Sequence, residues 1–172
     1  MAKREKLDVF DFAIKAEKDG MAFYTKAAKK FDAADLKKLF MNLAKEEAAH
    51  LKYFSELKVK ADVKGVDQTL RNPDIDDYLE AIVQEGLFPR SETVDKRLDK
   101  VETVGQACAI AMAAEKNAIL LYSELAKLAR ERDQKKLFEK IIKEEKTHMV
   151  MVRDLRIDYD PAYAAMRFGR FL

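Results

Sequence analysis

Histidine is almost absent from this chain: of 172 residues, only His50 and His148 carry an imidazole. Cysteine is scarcer still, and the single Cys108 excludes an intrachain disulfide and any four-cysteine metal site. Glycine and proline number five and three. Pro73, Pro89 and Pro161 all fall outside the long periodic segments, where they would break a helix. No apolar run approaches the ~20 residues of a membrane span, and the opening MAKREKLDVFDF has no apolar stretch of signal-peptide length. Neither charge is in excess: 33 Lys and Arg stand against 31 Asp and Glu, a net charge of +2. That balance speaks against nucleic acid or an anionic membrane as partners. The remainder, rich in Ala, Leu, Lys and Glu, predicts a cytoplasmic all-α protein of one domain.

Apolar residues at helical spacing mark four long segments, at about Glu5–Phe31, Ala34–Leu57, Val101–Arg130 and Asp133–Leu155. Between the second and third lies a connection over about 58–100, too long for a turn. Within it Asn72-Pro73 opens and Gly86 closes a short amphipathic helix at 74–85. A connection of this kind runs the length of a bundle and leaves helices two and three parallel. The expected organisation is a bundle over 1–158 and a C-terminal tail, 159–172.

The two helical pairs are copies. A shift of 98 residues lays AEKDGMAFYTKAAKK over AEKNAILLYSELAKL, and DLKKLFMNLAKEEAAH over DQKKLFEKIIKEEKTH. Residues 16–50 agree with their counterparts at 15 of 35 positions without a gap. Two repeated hairpins predict a pseudo-twofold four-helix bundle in which anything on the axis is built twice.

Both histidines belong to this repeat. Glu47 and His50 are three apart on one helix face, as are Glu145 and His148. Glu17 and Glu115 each precede the paired Glu by 30 residues, with the turn about midway, so folding brings them level. Four carboxylates and two imidazoles would thus meet among Ala, Ile, Phe and Leu, with no Lys or Arg at matching positions. Burying such ions uncompensated costs several kcal/mol each. Two divalent cations would balance four negative charges, and mixed oxygen and nitrogen donors suit Fe, Mn or Zn. A lone Glu-x-x-His is a weak signal; its repetition with the second Glu is a strong one.

These residues resemble the ferritin-like di-iron carboxylate superfamily, in which two helices give one Glu each and two give Glu-x-x-His. The rubrerythrin (erythrin) branch is the best match, over residues 5–155. The resemblance implies that Glu17, Glu47, His50, Glu115, Glu145 and His148 hold two iron ions, Glu47 and Glu145 bridging them. It also implies peroxide or O2 as oxidant and an external electron donor. Two departures stand out. The further Glu that rubrerythrins carry three residues after the third-helix ligand is Ala118 here, with Gly20 as its repeat partner. One cysteine also cannot supply the paired Cys-x-x-Cys of a rubredoxin domain. The ligand set is similar to bacterioferritin too, but its haem-binding methionine position is Ala48 here.

Tyr24 and Tyr122 lie two turns after Glu17 and Glu115, where a buried phenol can donate to a ligating carboxylate of a neighbouring helix. Glu46 and Glu144 either orient the imidazoles across the bundle or are plain exposed carboxylates. Gly20 and Ala118 either admit a small oxidant or let helices pack closely. Cys108 reads as a small core residue. The tail PAYAAMRFGRFL docks on its own bundle, fills an interface in a homodimer or higher homo-oligomer, or is a peptide recognised by a larger assembly. The leading expectation is a di-iron oxidoreductase of the peroxidase type; the alternatives are a ferroxidase with iron storage, and a bundle stapled by its metals.

Overall fold

The computed structural model describes residues 9–63, 78, 89–90, 93–129 and 131–169. Six helices and no strand occur among them: α1 (Val9–Lys30), α2 (Ala34–Val63), α3 (Val94–Leu98), α4 (Val104–Leu128), α5 (Arg132–Tyr159) and α6 (Pro161–Phe168). The four long ones are those the apolar spacing predicts. Along α1, Phe10, Ala13, Ala16, Glu17, Gly20, Phe23, Tyr24, Ala27 and Ala28 are all buried, singly or in adjacent pairs about three or four residues apart. Asp11 in its first turn and Lys29 and Lys30 in its last complement the helix dipole.

The ends differ from expectation for local reasons. α2 runs on to Val63 rather than stopping near Leu57, because nothing in Lys-Val-Lys-Ala-Asp-Val breaks a helix. α4 starts at Val104, three residues later than expected. Thr103 accepts from Gln106 N at 3.2 Å while the Gln106 side chain accepts from Thr103 N at 3.3 Å, a reciprocal cap that sets the first turn. α5 continues to Tyr159 and ends where Pro161 restricts Asp160.

The expected helix at 74–85 lies outside the described residues, apart from Tyr78, which is helical and exposed. A different short helix, α3, occupies the later part of the connection. It buries Val94 and Leu98 and is tied to α1 by Lys26 Nζ donating to Asp95 Oδ2 at 2.7 Å and Lys30 Nζ donating to the Leu98 carbonyl.

Side-chain pairs across the bundle give the topology. Tyr24 meets Glu115 while Tyr122 meets Glu17, so α1 and α4 are antiparallel. His50 meets Glu144 while His148 meets Glu46, so α2 and α5 are antiparallel too. With antiparallel partners inside each hairpin, α2 and α4 must run parallel, as the long connection requires. The two cross-pairs exchange under the 98-residue shift, which is the pseudo-twofold axis seen in contacts. Its core repeats as well: Tyr24 packs edge-on to Phe40 at 5.1 Å, and Tyr122 lies against Phe138 at 6.2 Å.

After α5 the chain turns at Asp160, whose carboxylate caps α6 by accepting from Tyr163 N at 3.0 Å, with Pro161 in the first turn. Arg156 of α5 lies over the Tyr163 ring at 4.0 Å. The tail therefore begins as a helix leaning on the end of α5, and none of its residues 161–168 is buried.

Candidate metal centre

Midway along the bundle, all six residues singled out by the repeat converge. Glu17, Glu47, His50, Glu115, Glu145 and His148 are each no more than 2% exposed. Each is delivered by its own helical register: one turn separates Glu47 from His50 and Glu145 from His148, so carboxylate and imidazole project side by side. The imidazole rings lie 6.0 Å apart and nearly parallel, at 21°.

The donor atoms fall into two groups. Glu17, Glu47, His50 and Glu145 offer atoms all within 4.8 Å of one another, and so do Glu47, Glu115, Glu145 and His148. An ion with ligands at ~2.1 Å places opposite ligands about 4 Å apart, so each group has the dimensions of one coordination sphere. Glu47 and Glu145 belong to both groups.

The hydrogen bonding tests the fit more sharply. Six buried side-chain atoms lack a hydrogen-bond partner among the described residues: Glu17 Oε2, Glu47 Oε1, His50 Nδ1, Glu115 Oε2, Glu145 Oε2 and His148 Nδ1. Each of the six residues contributes one. His148 Nδ1 is 2.9 Å from Glu145 Oε2, and His50 Nδ1 is 3.4 Å from Glu17 Oε2, close enough for ion pairing but without hydrogen-bond directionality. Lone pairs turned inward, toward the two groups' centres, give this pattern. An orphaned buried polar atom costs ~1–3 kcal/mol, and six together call for cations. The donors therefore fit a pair of divalent metal ions.

The surrounding shell holds the donors in place. Tyr24 donates its hydroxyl hydrogen to Glu115 Oε1 and Tyr122 donates to Glu17 Oε1, each across to the opposite hairpin. His50 Nε2 is 3.1 Å from Glu144 Oε2, and His148 Nε2 approaches Glu46 Oε2. Glu46 and Glu144 are thus neither free nor buried: they reach from the surface to the outer edge of each ring. A proton on Nε2 shared with a carboxylate leaves the Nδ1 lone pair facing inward.

A family model for rubrerythrin matches residues 8–156. The chain belongs to the rubrerythrin family. A solved structure described as a ferritin-like diiron-carboxylate protein from Thermotoga maritima is also similar, at 26% identity and a TM-score of 0.67, over 90% of this chain and 97% of that one. No curated protein matches it in sequence. Family and geometry together give a ferritin-like all-α bundle with a buried Glu/His cluster suited to a binuclear metal site.

Within this rubrerythrin-family framework, the position where the resemblance expects a further Glu is Ala118, which is 3% exposed, and Gly20 is buried opposite it. Their burial favours the close-packing reading, with α1 and α4 sealing that side. The opposite side is open. A groove of about 420 Å³ runs between α2 and α5, lined by Glu46, Ala49, His50, Tyr53, Lys140, Glu144, Thr147 and Met151. Lys140 and Tyr53 escape the sequence reading; the signal for Lys140 is that Asn42 occupies its place in the other repeat.

Without cations, the cluster retains protons. Burial pushes Glu47 and Glu115 well above the ordinary carboxylate range, and repulsion from Glu145 adds to it. Burial would raise Glu145 too, but His148 and His50 beside it hold it down to about 2. Burial opposes charge on the imidazoles, yet the carboxylates around them, led by Glu145, lift both His50 and His148. Burial and the neighbouring carboxylates also push Tyr24 and Tyr122 up, so both phenols stay protonated as donors. Cys108 stands apart in the core, its thiol pushed up to about 12 by burial.

Proposed function

We propose that the six residues hold two iron ions and that the loaded protein is an oxidoreductase reducing hydrogen peroxide, or O2, with electrons from an external donor. The observation that carries this reading is the set of six unpartnered buried atoms, one from each residue. Glu47 and Glu145 would contribute to both positions, Glu17 and His50 to one, and Glu115 and His148 to the other. When bound, two iron ions supply the redox change and the Lewis acidity that orients and polarises an O–O bond.

The chain's own residues set the conditions. Glu144 and Glu46 fix the imidazole tautomers from outside by accepting from Nε2. Tyr24 and Tyr122 pin the two terminal carboxylates by one oxygen and leave the other facing inward. Two buried aromatic clusters, Phe23 and Phe40 around Tyr24 and Phe54 and Phe138 around Tyr122, exclude water from the surroundings of the two tyrosine contacts. Reduction of peroxide to two water molecules takes up two electrons and two protons. The groove between α2 and α5, where Glu46 and Glu144 meet solvent, gives those protons a path to the cluster.

The test is anaerobic loading with Fe(II), metal analysis, and then stopped-flow reaction with peroxide. About two iron ions per chain and turnover with a reductant support the reading. One ion or none overturns the ligand assignment. A count far above two points instead to ferroxidase and storage chemistry. Two ions that never react with peroxide or O2 leave the structural staple.

A further inference from the structure

The two metal positions have the same ligands, yet the shells behind them differ at one residue, and we propose that Lys140 makes them unequal in affinity. Lys140 is a positioning residue acting through Glu144 on His50. The inference rests on the dinuclear reading above.

Each imidazole is backed by a glutamate of the opposite hairpin, but the two contacts are not alike. His148 Nε2 lies 2.5 Å from Glu46 Oε2, while His50 Nε2 lies 3.1 Å from Glu144 Oε2. The other oxygen of Glu144 is engaged: Lys140 Nζ stands 3.5 Å from Oε1, one turn earlier on α5. Under the 98-residue shift, the counterpart of Lys140 is Asn42, and among the described residues no lysine or arginine pairs with Glu46. Half-exposed ion pairs contribute little stability in themselves, and that is not the effect at issue. Lys140 is held in place, its ammonium also lying 4.9 Å over the Tyr53 ring, where the other repeat has Met151.

A carboxylate already shared with an ammonium is a weaker acceptor for an imidazole N–H. The imidazole then keeps its proton more to itself and its Nδ1 lone pair is the poorer donor. The position held by Glu115 and His148 is therefore the tighter one and fills first; that held by Glu17 and His50 is weaker. Loss of such an outer hydrogen bond costs 10–100-fold in metal affinity, so its weakening corresponds to a difference of about tenfold.

Because the chain has only two histidines, nitrogen-15 NMR of the full-length metal-free protein gives one imidazole signal per position during titration with Zn(II). The Glu144→Gln variant, which disturbs the contact to His50 alone, assigns the two signals. His148 is expected to respond at lower zinc than His50, by about tenfold. Lys140→Asn should bring the two responses together without changing the thermal unfolding of the metal-free protein, and Asn42→Lys should weaken the His148 response selectively. Simultaneous filling in the parent protein, or an unchanged gap in Lys140→Asn, overturns the role of Lys140 while leaving the dinuclear site standing. No response at either imidazole overturns both.

Discussion

From Glu17 to His50 and from Glu115 to His148, the two hairpins bring matching donors to the axis, each braced by the other hairpin's tyrosine and glutamate. Outward from that plane they part company. Phe40 and Phe138 still correspond, but Cys108 stands where the first hairpin has Phe10, Lys140 where it has Asn42, and Tyr53 where the second has Met151. Every residue of the cluster and of its bracing is identical in the two halves, whereas the space-filling and solvent-facing positions are a mixture, with Lys37, Lys38 and Leu39 retained and Phe10, Asn42 and Tyr53 replaced. The distinction is physical: a buried carboxylate has few permissible replacements, whereas a core position accepts another apolar residue of suitable volume once its neighbours adjust.

The most severe way to break the comparison is to remove a bridge. Glu47→Ala and Glu145→Ala should each abolish occupancy of both positions, whereas Glu17→Ala and Glu115→Ala should each leave one ion; metal analysis after dialysis checks the pattern. Retention of two ions by either bridge variant would remove the assignment of Glu47 and Glu145.

The next effect is in pH. Glu47 and Glu115 are shifted upward in the metal-free cluster, as are His50 and His148, so loading must expel protons. Metal affinity should therefore climb as pH rises and collapse as it falls, tenfold per pH unit for each proton released. Calorimetry of Zn(II) binding in buffers of different ionisation enthalpy measures the number directly; pH-independent binding would contradict the protonated cluster.

A milder test concerns symmetry. Tyr24→Phe and Tyr122→Phe each delete one hydroxyl bonded to a buried carboxylate, and each should cost ~1.5–3 kcal/mol in denaturant unfolding of the metal-free protein. The two losses should match, because the contacts exchange under the repeat. A large inequality would show that the axis is less exact energetically than it is geometrically.

The smallest expected effect is at Cys108. With its thiol pushed up to about 12, only about one part in ten thousand is thiolate at pH 8. A thiol reagent should leave the folded protein unmodified and label it promptly in denaturant. Rapid labelling of the native state would contradict its burial on the inner face of α4.

Much of this architecture is legible before any coordinates. Long helices announce themselves through many apolar positions in register, and the candidate metal ligands through a repeat that pairs two rare histidines with four glutamates. The structure places all six together, and adds the tyrosine contacts expected from their two-turn spacing. What escapes the sequence has little periodicity to show. α3 has five residues and only Val94 and Leu98 to mark a face, while Lys140 looks like any surface lysine until its neighbour across the groove is known. Where elements stop is likewise local chemistry: the Thr103–Gln106 cap fixes one boundary, and the absence of any breaker before Val63 moves another.

The crossed bracing has a consequence for ancestry. A solitary hairpin would present Glu17, Glu47 and His50 with no tyrosine to hold the first and no outer glutamate to hold the last. Two identical hairpins meeting about a twofold axis would meet every one of those needs at once, since each supplies what the other lacks. The arrangement is what a self-associating hairpin of some fifty residues would have required. Joining two copies in one chain then freed each to change independently, and the lysine at position 140 is a difference that a strictly symmetric pair could never have acquired alone.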